Sequence, residues 1–251
     1  SLSQCSLTSA NSINIGRLLP QSVYYFYSWS RVIKDISENV IFSVPSGNYG
    51  NLMGGVIARE LGLPVKKFII ATNENNEVPE YLRTGTYNII NPSINCISSA
   101  MNVGHPSNLA RIIALYGGIM NKEGEILKAP DLQRMRKDFS GFSVTDDETR
   151  KTIADFFRLY GSLIEPHGAV AWKGMQMFRN MNPDYADDKQ LFISLETAHP
   201  SKFREEIVKI LGFSPSVPEQ LARIDALKEN FVKMENNYDL LKEFILRHHK
   251  Q

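Results

Sequence analysis

Val40-Ile41-Phe42-Ser43-Val44-Pro45-Ser46-Gly47-Asn48-Tyr49-Gly50-Asn51 is the stretch whose reading decides the fold. Its first six residues form a short, continuous apolar run of strand length, the pattern of a parallel strand buried on both faces. SGNYGN then breaks the run, and Leu52 to Leu61 takes on helical spacing, closed by Gly62 and Pro64. Val65 to Thr72 (VKKFIIAT) is a second buried strand. Together these make a strand, loop, helix and strand, the unit of an open α/β sheet.

Outward from this unit the same alternation continues. Ile13 to Trp29 is helical in spacing, with Pro20 set to interrupt it. Short helices are expected at Asn76–Arg83 and Pro106–Tyr116, with a polar loop over Asn88–Ser99 between them. Residues 118–144 read as a mixed helical and loop insert. Thr145-Asp146-Asp147-Glu148 is a capping box opening a helix to Tyr160, and Pro166 starts another, ending near Met177. Gln190 to Glu196 (QLFISLE) is a third buried strand, followed by a helix from Ser201 to Leu211. The expected fold is therefore α/β, three-layered, with a mainly parallel sheet flanked by helices. Its domain spans 1–217, and a charged helical tail follows at 218–251.

Composition narrows the functional classes. The chain has 251 residues, 43% hydrophobic and 22% charged, with a net charge of +1. That balance gives no electrostatic reason to expect a nucleic-acid partner. No apolar run has the length of a membrane span. Two distant cysteines, Cys5 and Cys96, form no disulfide framework and suggest a reducing, cytoplasmic setting. The first residues, SLSQCSLTSANS, lack an initiator methionine and a charged-then-apolar leader. They read as a trimmed chain or as one beginning mid-protein.

Four clusters can carry chemistry. Ser46 to Asn51 sits between a strand and a helix, where glycines allow close approach and successive N–H groups at a helix amino terminus can cradle a phosphate. A bare strand-to-helix turn fits the same spacing. Glu196-Thr197-Ala198-His199-Pro200 follows the third strand, where open α/β sheets bind ligands, and Thr197 can donate to a ring nitrogen or an anion. Its other reading is a helix cap. Asn14 and Arg17 can hold an anion or simply cap and flank a helix. His167 in Glu165-Pro166-His167 can do acid–base work or serve structurally. No metal-ligand spacing is present.

Taken together, these segments resemble the threonine synthases of many bacteria and of fungi. The resemblance rests on Ser12-Ile13-Asn14-Ile15-x-Arg17-Leu18-Leu19, Val44 to Asn51, Leu61 to Lys66, Ala71-Thr72-Asn73 and Ala100-Met101. It continues through Pro106-Ser107-Asn108, Arg111, Asp146 to Thr149, Glu165-Pro166-His167 and Thr197-Ala198-His199-Pro200-x-Lys202-Phe203. It covers residues from about 9 to 212.

The resemblance implies a fold-type II pyridoxal-phosphate (PLP) enzyme, related in fold to tryptophan synthase β. Such an enzyme converts O-phospho-L-homoserine and water to L-threonine and phosphate. It assigns Gly47, Asn48, Tyr49, Gly50 and Asn51 to the cofactor phosphate and Thr197 to the pyridine nitrogen. Ser46, Asn14 and Arg17 are expected nearby. A monomer or homodimer is implied. Three residues depart from the family pattern: Tyr49 for phenylalanine, Asn102 for aspartate, and Gly168 for alanine or threonine. The family's Schiff-base lysine lies in an upstream Phe-Lys-Asp segment that is absent here, and Lys34-Asp35 falls in the wrong place. On this reading no catalytic residue lies in the chain, its amino-terminal portion is missing, and alone it is expected not to catalyse. Two alternatives stand beside this one: another fold-type II lyase, such as a dehydratase or cysteine synthase, and a non-catalytic binding protein.

Overall fold

A computed structural model describes residues 10–185, 190–225 and 227–248. Asn11–Pro215 forms one compact unit, and the chain from Ser216 onward belongs to a second. The first unit holds the sheet. Its helices begin with α1 (Ile15–Leu18), a 3₁₀ turn at Leu19–Gln21 and α2 (Ser22–Val32). Pro20 falls inside that 3₁₀ turn, so the interruption expected there is a tightened turn rather than a kink. Strand β1 (Val40–Pro45), helix α3 (Gly50–Glu60) and strand β2 (Val65–Thr72) follow as the sequence indicates. Helices α4 (Glu77–Thr84) and α5 (Leu109–Leu115) flank the polar loop.

The 118–144 region departs from its reading as a mixed insert. It contains a small ribbon, β3 (Ile119–Met120) with β4 (Ile126–Lys128), then α6 (Leu132–Asp138) and a full strand of the main sheet, β5 (Phe139–Ser143). The sequence of β5, Phe-Ser-Gly-Phe-Ser, lacks the β-branched run that marks a buried strand, which is why its pattern is silent. Helices α7 (Asp146–Tyr160) and α8 (Pro166–Met181) precede β6 (Leu191–Ser194), and α9 (Arg204–Leu211) closes the unit. The capping box at Thr145 is formed, with Thr145 and Glu148 bonded reciprocally. In the second unit the helical tail is two helices, α10 (Glu219–Asp225) and α11 (Tyr238–His248).

The sheet is parallel throughout, in the order β5-β2-β1-β6. Alternate side chains face opposite layers, as the two-residue period of a strand requires. Val40, Phe42, Val44, Phe68 and Ile70 pack with Leu18, Tyr25, Leu52 and Val56 from α1, α2 and α3. Ile41 and Ile69 point the other way, onto Met175 and Phe178 of α8. The Tyr25 and Phe42 rings meet edge to face at 4.8 Å. Burying each of these large apolar side chains contributes roughly 1.5–3 kcal/mol.

Sheet register positions the site. β1 lies between β2, reached through α3, and β6, reached from far along the chain. Ser43 pairs with Ser194, so residues after Pro45 and after Ser194 leave the same carboxyl edge side by side. That is the crevice where strand connections diverge and ligands bind in open α/β sheets.

Candidate functional site

A cleft of about 940 Å³ opens at this edge. It is lined by Gly47, Asn48, Tyr49, Gly50 and Asn51 from the β1–α3 loop and by Leu195, Glu196 and Thr197 after β6. Arg17, Gln21 and Tyr24 close one side, and Ala100, Met101 and His167 another. A second cleft, about 920 Å³, lies by Asn39, Lys66, Gln190 and Leu191 at the amino ends of β1 and β6, away from the helix termini that favour anions.

The loop is shaped to present its backbone. Tyr49, the residue before α3, adopts φ 61°, a left-handed conformation uncommon outside glycine and typical of functional turns. No side chain caps α3. Among the described residues, the N–H groups of Gly47, Asn48, Tyr49, Gly50 and Asn51 therefore meet no acceptor. Adjacent uncapped N–H groups at a helix amino terminus, lining a cleft, are the donor set a phosphate needs. The residues present fit that group.

The side chains of the loop do other work. Asn48 Nδ2 donates to Ser12 Oγ at 2.6 Å, and its Oδ1 accepts from the Ser107 N–H at 2.7 Å and hydroxyl at 3.0 Å. Asn108 Nδ2 donates to the Asn48 carbonyl at 2.9 Å, while Arg111 holds Asn108 Oδ1 at 2.6 Å. Tyr25 donates to Asn51 Oδ1 at 2.5 Å from inside the core. Segments distant in sequence thus brace one turn. Gly47 is needed for close approach: a β-carbon there would lie 2.7 Å from the Ala100 carbonyl oxygen and 2.8 Å from Met101 Cα.

The remaining candidates separate. Thr197 lines the cleft and is not a helix cap. The 3₁₀ turn at Pro200–Phe203 is capped instead by His199, whose ring accepts from Ser201 N–H. Arg17 also lines the cleft. Asn14 is the cap of α1, accepting from the Gly16 N–H at 2.9 Å, and does not line the cleft. Ser46 is buried, donating its N–H to Ala71 and its hydroxyl to the Val44 carbonyl, and is likewise absent from the lining. Among the described residues no lysine lines the cleft.

Glu196, Ala100, Met101 and His167 all fell within motifs of the sequence, but none was assigned a place at the site. Their signal was membership of those motifs, which carries no information on which side chains face the cleft. The Glu196 carboxyl is pushed up to about 8, first by burial and then by the Glu165 charge, with the Glu165 N–H opposing. The residue as a whole is exposed, but its carboxyl end packs on Gly168, so the desolvation acts where the charge would sit.

The family model described as "Threonine synthase, C-terminal" matches residues 169–245. The chain is 37% identical over 240 residues to the threonine synthase of Buchnera aphidicola subsp. Schizaphis graminum, covering 96% of this chain and 51% of that protein. In structure it is similar to threonine synthase from Escherichia coli, with a TM-score of 0.79 at 33% identity, covering 96% of this chain and 51% of that one. It is also similar to PLP-bound threonine synthase from Brucella melitensis, with a TM-score of 0.85 at 29% identity, covering 100% of this chain and 55% of that one. The chain spans about half the length of the relatives it matches. No described helix is long and apolar enough to cross a membrane. In sequence and in fold, this chain is similar to threonine synthases over about half of their length.

Proposed function

We propose that this chain provides the phosphate-gripping face of a PLP-dependent threonine synthase, which converts O-phospho-L-homoserine and water to L-threonine and inorganic phosphate. The observation that carries the reading is the row of unpaired N–H groups at Gly47–Asn51, sharing one cleft with Thr197. The loop amides and the amino terminus of α3 would hold the cofactor phosphate, and the Thr197 hydroxyl would meet the ring nitrogen. A hydroxyl, unlike a carboxylate, leaves that nitrogen uncharged. When bound, PLP supplies an electron sink for the carbon chemistry. This chain's own residues fix and orient the cofactor. The Schiff-base lysine is assigned to protein sequence other than this chain. The setting is cytoplasmic and the assembly a monomer or homodimer in this reading.

The test is a PLP titration of the chain, followed by absorbance and by competition with inorganic phosphate, alongside an assay for threonine from phosphohomoserine. Binding that phosphate displaces, with no turnover by the chain alone, is expected. Threonine formation by the 251-residue chain itself would refute the assignment of the lysine elsewhere. Absence of any phosphate-competed binding would refute the cradle.

A further inference from the structure

Helix α8 begins with a buried acid–imidazole pair that the binding residues above do not include. Glu165 is wholly buried and caps the helix, accepting from the backbone N–H of His167 at 2.8 Å and of Gly168 at 3.1 Å. It also meets His167 Nδ1 at 2.5 Å. The other ring nitrogen, Nε2, faces the Ala100 N–H at 3.1 Å. A backbone N–H can only donate, so Nε2 carries no proton. The ring's proton therefore sits on Nδ1, directed at Glu165. The Phe203 ring packs edge-on against the imidazole, with centroids 5.1 Å apart.

Ala100 is also the residue on which the phosphate loop rests. Its carbonyl oxygen and Met101 Cα are the atoms that leave room for no more than a glycine at position 47. The line of contact runs from Glu165 through His167 and Ala100 to Gly47. As a helix cap, Glu165 already has two backbone donors and needs no imidazole. The Ala100 N–H, by contrast, has no acceptor other than Nε2 among the described residues.

We propose that His167 is a positioning residue for the phosphate cradle, using its Nε2 lone pair to fix the Ala100–Met101 backbone beneath Gly47. This inference rests on the reading of Gly47–Asn51 as a phosphate site. It separates two amide replacements. In His167→Gln the side-chain oxygen reaches the place of Nε2 and can accept from Ala100. In His167→Asn the amide reaches only the place of Nδ1, beside Glu165.

The experiment measures inorganic phosphate binding to the chain and to both variants by calorimetry, with thermal unfolding as a check on folding. Nitrogen-15 spectra of the wild-type histidines are recorded in parallel. The expected result is near-wild-type affinity for His167→Gln and a loss of about tenfold or more for His167→Asn. The His167 ring should show an unprotonated Nε2 and a protonated Nδ1. Equal phosphate binding by the two variants, or a protonated Nε2 at neutral pH, overturns the proposal. The nitrogen readout decides even where a variant fails to fold. A wild-type chain that binds no phosphate overturns the cradle reading itself, and this inference with it.

Discussion

Glu196 Oε2 lies 1.7 Å from where a β-carbon on Gly168 would sit, so the carboxyl of one residue occupies the side-chain space of the other. The Glu165 N–H holds it there at 2.9 Å. A side chain at position 168 would therefore have to displace the flexible end of Glu196.

Gly168→Ala is expected to drive the Glu196 carboxyl off α8 and into solvent. Its pKa, now about 8, should then fall toward the ordinary glutamate value of 4.5. A carbon-13 titration of the glutamate carboxyls measures this. An unmoved midpoint in the variant would show that contact with the helix is not what raises it.

Asn102 uses both ends of its amide. Its Oδ1 accepts from Asn73 Nδ2 at 2.9 Å and from the Cys96 N–H at 3.2 Å, and its Nδ2 donates to Asn95 Oδ1 at 3.0 Å and the Cys96 carbonyl at 3.2 Å. An aspartate would set a second oxygen against two acceptors. Asn102→Asp is therefore expected to cost about 1–3 kcal/mol in urea unfolding near neutral pH. Equal stability of the two proteins would count against the network.

Glu77 is 3% exposed, and its Oε2 has no partner among the described residues. Burial pushes its carboxyl up to about 7 from an ordinary 4.5. The folded state then keeps this proton to higher pH than the unfolded state does. Its contribution is complete below about 4.5 and is lost as pH rises toward about 7. Relative to Glu77→Gln, the native chain should lose on the order of 3 kcal/mol between those limits. Denaturation curves at pH 5 and pH 8 check this, and parallel pH dependence in the two proteins would rule it out.

At Gly47 the obstacle to a side chain is backbone, whereas at Gly50 the nearest atom is the Ser12 side chain at 3.0 Å. Gly47→Ala should thus lift the loop and weaken phosphate binding about tenfold or more, while Gly50→Ala should be milder. Phosphate calorimetry on both variants gives the order, and a reversed order would contradict the packing described.

Legibility followed the range of the signal. β1, β2 and β6 show as apolar runs, and α7 declares itself through Thr145 and Glu148, because these patterns are written within a few residues. β5 was not legible: a glycine- and serine-rich edge strand is stabilised by pairing with β2 and not by its own propensity. At the site, Ser46 and Asn14 sit within recognised motifs but outside the cleft, since side-chain direction depends on local backbone turns.

The sequence by itself determined an α/β alternation, a glycine-asparagine turn between strand and helix, and the family that the motifs resemble. Each is local or additive along the chain. Only the tertiary structure decided that β6 pairs beside β1, bringing Thr197 and Glu196 to the Gly47–Asn51 loop, and that His167 reaches Ala100. Those meetings join residues from 67 to about 150 positions apart, and strand order, which no local period encodes, is what brings them together.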